Sequence, residues 1–126
     1  MRFLLLPAVL LIVASCNKNR SVAKKLEGRW HLYKILKDDG QVFDLDETYE
    51  FAKGATDGKT YALWTRYTNT DTIVGSYVVS EKGAKLILRV ENTTPLISDT
   101  ANMEDMDKKT LIFRTKAGVH YFDKEN

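Results

Sequence analysis

Residues 72–90 read TIVGSYVVSEKGAKLILRV, and the spacing of this stretch selects the fold. Ile73, Tyr77 and Val79 share one parity, Val74 and Val78 the other, and β-branched and aromatic residues dominate. Glu81-Lys82-Gly83 interrupts with turn chemistry, after which Leu86, Leu88 and Val90 resume the alternation. Two such runs joined by a short turn make a β-hairpin. The Tyr77 parity is taken as the inner one.

The same pattern extends in both directions. Strands are read near 29 to 35, 41 to 45, 48 to 53, 59 to 67, 72 to 80, 85 to 92, 109 to 116 and 119 to 124. Their separators are Asp38-Asp39-Gly40, the segment from Gly54 to Gly58, Asn69-Thr70-Asp71, Glu81-Lys82-Gly83 and Lys116-Ala117-Gly118. No sustained three-and-four spacing of apolar residues argues for helices. The expectation is one small all-β domain, an eight-stranded antiparallel up-and-down barrel whose closure leaves no free edge. One connection departs from the pattern: 93 to 109 is long and polar, with Pro95, Asp99, Glu104, Asp105 and Asp107. It is read as a long loop before the seventh strand, with room for a short helix from Asn102 to Lys108.

Parity then assigns an interior. Trp30 and Leu32, Tyr49 and Phe51, Tyr61 and Leu63, Leu86, Leu88 and Val90, and Leu111 and Phe113 are expected inside. Arg66, Arg89 and Arg114 are expected on the outer face, with Glu91 able to pair across strands with Arg114. His31 and His120 are read as solvated strand residues.

The chain begins differently. Arg2 precedes an apolar run from Phe3 to Val13, which as a helix would reach about 16 Å, roughly half the hydrocarbon thickness of a bilayer. Too short to span, it reads as the core of a signal peptide. Val13-Ala14-Ser15-Cys16 resembles the bacterial lipobox. That resemblance implies removal of residues 1–15, a diacylglyceryl group on the sulfur of Cys16, and an acyl chain such as palmitate on its new amino group. Several acyl chains together make attachment effectively permanent, whereas one is marginal. Asn17 to Glu27, with Lys18, Arg20, Lys24 and Lys25, is read as a solvated, lipidated tether spanning 16–27, and the barrel domain as 28–126. The residues after Cys16 lack the acidic cluster that resembles a surface-export tag, so the periplasmic side of the outer membrane is the expected location in the cell envelope.

Within the barrel, Leu26-Glu27-Gly28-Arg29-Trp30 is similar to the Gly-x-Trp opening of lipocalin-like proteins, and the resemblance implies that Trp30 plugs one end. Tyr49-Glu50-Phe51, Gly75-Ser76-Tyr77, Lys85-Leu86-Ile87-Leu88 and Tyr121-Phe122, in that order, resemble the small lipocalin-like lipoproteins of one Gram-negative phylum. The Thr-Asp-Tyr element of larger lipocalins is absent. No arginine follows the last strand to stack on Trp30.

Function is constrained mainly by exclusion. Arg2 leaves with the leader, so 19 basic side chains become 18 against 17 acidic ones, which gives no footprint for nucleic acid. Cys16 is the only cysteine, and lipidation consumes its thiol. The segment Gly54 to Lys59 is one residue short of a phosphate-binding loop and lies between strands, and no zinc or serine-hydrolase motif is present. No cofactor, metal or catalytic set is expected. Met103-Glu104-Asp105-Met106 has the spacing of a soft-metal site but lacks an assured third ligand. What remains is a non-catalytic, monomeric envelope module that binds a small apolar ligand or a protein partner, or a structural or inhibitor lipoprotein with a filled barrel. An eight-stranded barrel is just wide enough for either a packed interior or one small ligand. Trp30, Tyr61, Trp64, Tyr77 and Phe113 are the candidate ligand-binding residues, since aromatic rings supply apolar area and some carry a polar handle. Thr72 and Thr100, in Asp-Thr-apolar tripeptides, resemble acceptors of periplasmic O-glycosylation.

Overall fold

The computed structural model describes residues 18–55, 57–91 and 96–125; the expected signal peptide and Cys16 lie outside them. Eight strands follow one another: β1 (Gly28–Leu36), β2 (Val42–Phe51), β3 (Ala62–Tyr67), β4 (Thr72–Ser80), β5 (Lys85–Val90), β6 (Ile97–Met106), β7 (Thr110–Thr115) and β8 (Gly118–Lys124). Each pairs antiparallel with the next, and β8 returns to pair with β1, closing an up-and-down barrel. Among the described residues no helix is long and apolar enough to cross a membrane.

The closed barrel agrees with the sequence reading, but two strands were misjudged in compensating ways. The runs 41 to 45 and 48 to 53 are one strand, β2. Leu32 faces Glu47 while Lys34 faces Asp44, so a bulge absorbs the irregularity that the acidic residues suggested was a break. The stretch 93 to 109 is no long loop, because most of it is β6, paired with both β5 and β7 and itself bulged between Met103 and Asp105. No helix forms at 102–108. β6 hides from pattern reading because its apolar residues Ile97, Ala101, Met103 and Met106 are sparse among polar ones and a bulge breaks their alternation: Ala101 is its one fully buried side chain, and Thr100 and Asn102 are exposed. Its place is set by neighbours on both sides.

A second correction concerns the tether. Residues 18–26 form a helix whose Ala23 and Leu26 are fully buried against the barrel, with Val22 packed beside them. Three apolar groups at helical spacing are enough to cover one barrel end. The indole Nε1 of Trp30 donates to the Leu26 carbonyl at 2.8 Å, and the amide of Gly83 donates to Asn19 Oδ1 at 2.8 Å. A Cβ at Gly83 would come within 2.5 Å of Val22, so this turn accepts the helix only as glycine. The Lys124 ammonium lies 4.5 Å from the Trp30 ring and donates to the Glu27 carbonyl. Lysine thus fills the position over the tryptophan that the sequence left without an arginine.

In β3 the parity is the reverse of the expected one. Trp64 is buried, Leu63 is 54% exposed, and Tyr61 precedes the strand, lying under the Arg89 guanidinium 3.5 Å away. The cause is Gly75 of β4, directly opposite Trp64: a Cβ there would stand 2.9 Å from the indole Cε3 and 1.8 Å from the Arg89 carbonyl oxygen. Gly75 therefore makes room for the Trp64 indole. Gly75→Ala should force β4 from β5 and lower stability by about 1 to 3 kcal/mol, the usual range for overpacking, read as a reduced urea midpoint. An unchanged midpoint would contradict this packing.

Candidate functional site

The two barrel ends differ. At one, the helix, the 52–61 connection and the turns 81–84 and 107–109 come together; at the other, the connections 37–41, 68–71, 91–96 and 116–117 surround an end that carries no helix among the described residues. Between the ends the interior is filled by rings. Tyr49 lies 4.9 Å from Phe122, 5.6 Å from Trp64 and 6.5 Å from Phe113, centroid to centroid, and Phe51 meets Tyr77 edge-on at 5.0 Å.

The candidate ligand residues do not assemble into one opening. Trp30, Tyr77 and Phe113 are fully buried and Trp64 nearly so, while Tyr61 is outside the inner face. The Tyr77 hydroxyl donates to the Ala52 carbonyl, and burial pushes its ionisation well above the usual phenol range. Three open surface hollows, of about 380, 480 and 440 Å³, lie at the helix end and are lined by other residues.

Above the aromatic layer, toward the helix-free end, the inner face changes character. Residues directly opposite in a ladder share a face. Glu47 faces Leu32, Arg66 faces Tyr49, Asp99 faces Leu88 and His120 faces Phe113, and each of those four partners is buried in the core. Four polar side chains therefore turn inward. Arg66 was expected outside; the Gly75-directed inversion of β3 carries it in with Trp64. His120 is buried rather than solvated, its ring 5.0 Å from Phe113. Arg114 does remain outside, but it pairs with Glu104 at 2.9 Å and Asp38 at 3.0 Å, not with Glu91, which follows β5 at the far side of β6. His31 pairs with the exposed Asp46 at 2.7 Å.

The electrostatics of this inner set are coupled. Arg66 Nε donates to Glu47 Oε1 at 2.8 Å, and the Glu47 side chain is only 13% exposed. Burial opposes the charge on Arg66, and the bond to Glu47 with the fields of Tyr49 and Glu47 outweighs it, holding the guanidinium above its ordinary value. Burial pushes the Tyr49 hydroxyl up to about 12, with Arg66 opposing and Glu47 and Asp99 assisting, so it remains a donor. Burial likewise lowers His120, against the Gly118 carbonyl and the fields of Asp99 and Glu47. Its Nδ1 lies 3.1 Å from that carbonyl, which only accepts, so Nδ1 carries the proton and Nε2 of the neutral ring is an acceptor. Around them the rim is apolar. Phe43 faces Ile35 and Ile97 faces Val90 on the inner parity, and both Phe43 and Ile97 are largely exposed, as are Val42 and Leu96 beside them. The result is an amphipathic end, referred to below as the mouth.

Sequence reading missed Glu47 and Asp99. Glu47 fell in the gap between two supposed strands, although the alternation Glu47, Tyr49, Phe51 carried the signal. Asp99 fell in the supposed loop. Thr100 is exposed on the outer face of β6, opposite Ile87, and Thr72 is exposed at the start of β4. Met103 and Met106 pack against the core beside the helix.

Solved structures share this architecture. A lipocalin-like protein from Bacteroides uniformis superposes with a TM-score of 0.60 at 21% identity, covering 80% of this chain and 99% of that one. An uncharacterized protein from Bacteroides eggerthii gives 0.62 at 16% identity, covering 79% and 99%. No family model and no curated protein matches the sequence. At these identities the likeness concerns the fold: a lipocalin-like closed barrel.

The buried imidazole makes a testable pH signature. The folded state lowers the proton affinity of His120, so the unfolded chain binds more protons below the ordinary value of 6.5. The His120 contribution is then complete above 6.5 and declines as pH falls from there through the lowered folded value. His120→Gln should flatten this part of the stability profile, measured as urea midpoints between about pH 7.5 and about pH 5. An unchanged slope would place the ring in water.

Proposed function

We propose that this chain is a lipid-anchored, non-catalytic binding module of the cell envelope, whose open barrel end receives a small amphipathic ligand. The observation that carries the reading is the inward set Arg66, Glu47, Asp99 and His120 above a filled aromatic layer. Burying an ion pair costs desolvation that apolar packing would avoid, so its retention on an inner face fits recognition better than stability. A deep apolar cup is disfavoured by the packed rings beneath, and a ligand would lie in the mouth with its apolar part on Phe43 and Ile97. The hydroxyl of Tyr49, Nε2 of His120 and the two carboxylates then offer both donors and acceptors to its polar head.

Phe43 is exposed, so its removal spares the core. In titrations of the chain purified from its own envelope with fatty acids and other single-chain amphiphiles, followed by tryptophan fluorescence and native mass spectrometry, Phe43→Ala should weaken a saturable one-to-one complex by about tenfold, equivalent to ~1.4 kcal/mol. Absence of any saturable ligand would turn the reading to the filled barrel acting through its loops on a protein. The anchor has its own test. Cys16→Ser should leave uncleaved precursor or soluble protein on cell fractionation, and a processed, unlipidated form that stays on membranes would refute lipidation.

A further inference from the structure

The barrel carries opposite charge at its two ends. The helix contributes Lys18, Arg20, Lys24 and Lys25, and the connections at the same end contribute Lys53, Lys59, Lys82, Lys108 and Lys109, all nine exposed. Against them stand five carboxylates in the same helix and connections, Glu27, Asp57, Glu81, Asp107 and Glu125, while from the adjoining strands Glu50, Glu104, Asp105 and Asp123 also border the hollows of this end beside Arg29 and Lys124, Glu50 being paired with Arg29 and Glu104 with Arg114. Two of these are turned to their own loops: Asp57 accepts from the amides of Lys59 and Thr60, and Asp107 from those of Lys109 and Thr110. None of the nine cations pairs with a carboxylate among the described residues. The connections of the other end hold Lys37 and Lys116 against Asp38, Asp39, Asp71 and Glu91. One end is basic and the other acidic.

The chain direction selects which end meets the membrane. Only Asn17 separates Cys16 from the described helix, a reach of about 3.5 Å per residue, and that helix is pinned to the barrel by Leu26, Ala23 and the Asn19 bond to Gly83. A lipid on Cys16 would thus hold the basic end, not a swinging domain, against the headgroups. We propose that the helix end is a docking face for anionic lipid headgroups, and that it orients the barrel with the acidic mouth away from the bilayer. Each cation near an anionic surface adds attraction that decays within a Debye length, so docking is salt-sensitive where acyl anchoring is not. The hollow bordered by Lys108, Lys109 and Lys124, with Asp123 at its side, lies on this face.

This inference rests on the anchoring reading, and its test keeps the two apart. The full mature chain from its own envelope is mixed with vesicles of pure phosphatidylcholine or of phosphatidylcholine with about one-third phosphatidylglycerol, lysines are acetylated briefly, and labelling is mapped by mass spectrometry; intact mass reads the lipid on Cys16 separately. On the anionic vesicles Lys24, Lys25, Lys53 and Lys82 should label at least about threefold more slowly than on neutral ones, Lys37 and Lys116 should not change, and about half-molar salt should erase the difference. Lys24→Glu with Lys25→Glu, both exposed, should abolish the protection with the near-ultraviolet circular dichroism unchanged. Equal labelling on both vesicles, or protection at the mouth lysines, would overturn the docking face whatever the state of Cys16. The same helix-end protection produced by an acidic protein and not by vesicles would reassign the face to a protein partner, which also overturns it.

Discussion

The buried ring of Tyr49 is surrounded by Phe51, Trp64, Phe113 and Phe122, contributed by β2, β3, β7 and β8. An eight-stranded barrel has an interior barely wider than its side chains, and rings this large occupy its cross-section. Everything else in the molecule follows from that filled layer. Strands from opposite walls are held at one spacing by edge-to-face and tilted contacts, which favour such geometry over parallel stacking. The packed rings thereby separate the helix end of the interior from the opposite end.

The lower half solves an end problem. A barrel end exposes the edges of its core, and here the helix buries Leu26 and Ala23 in the core that holds Trp30 while the Leu26 carbonyl accepts from the indole N–H. Lys124 joins the same corner through Trp30 and the Glu27 carbonyl. The segment between a would-be anchor and the domain is therefore structural. Its cations are held in a fixed array, and a fixed array has an orientation that a flexible spacer lacks.

The upper half solves a different problem. Once the aromatic layer is in place, the side chains above it are near solvent, and charged groups can face inward at a tolerable desolvation cost if they pair. Arg66 and Glu47 do so, and burial favours the neutral forms of His120 and Tyr49 beside them. Donors, acceptors and an apolar rim at this end are what the proposed binding role draws on.

Much of this was legible in residue order. Period-two alternation through Tyr77, Leu86, Leu88, Leu111 and Phe113 determined an all-β chain, glycine- and aspartate-rich turns determined antiparallel neighbours, and the total length left room for one closed barrel. Trp30 at the head of the first strand was rightly placed in the core. What local pattern could not decide was each element whose reason lies in a partner. β6 carries only a sparse inward set, Ile97, Ala101, Met103 and Met106, broken by Asp99 and a bulge, and is a strand because β5 and β7 each offer a ladder to it; the helix packs Val22, Ala23 and Leu26 on the barrel and covers one of its ends. The parity of β3, with apolar residues on both faces, was decided by the missing Cβ of Gly75 across the ladder, and that choice turned Arg66 from the surface to the mouth. Alternation is a property of one strand and determines which residues share a face; which face is inside is a property of the neighbours, and only the closed barrel supplies them.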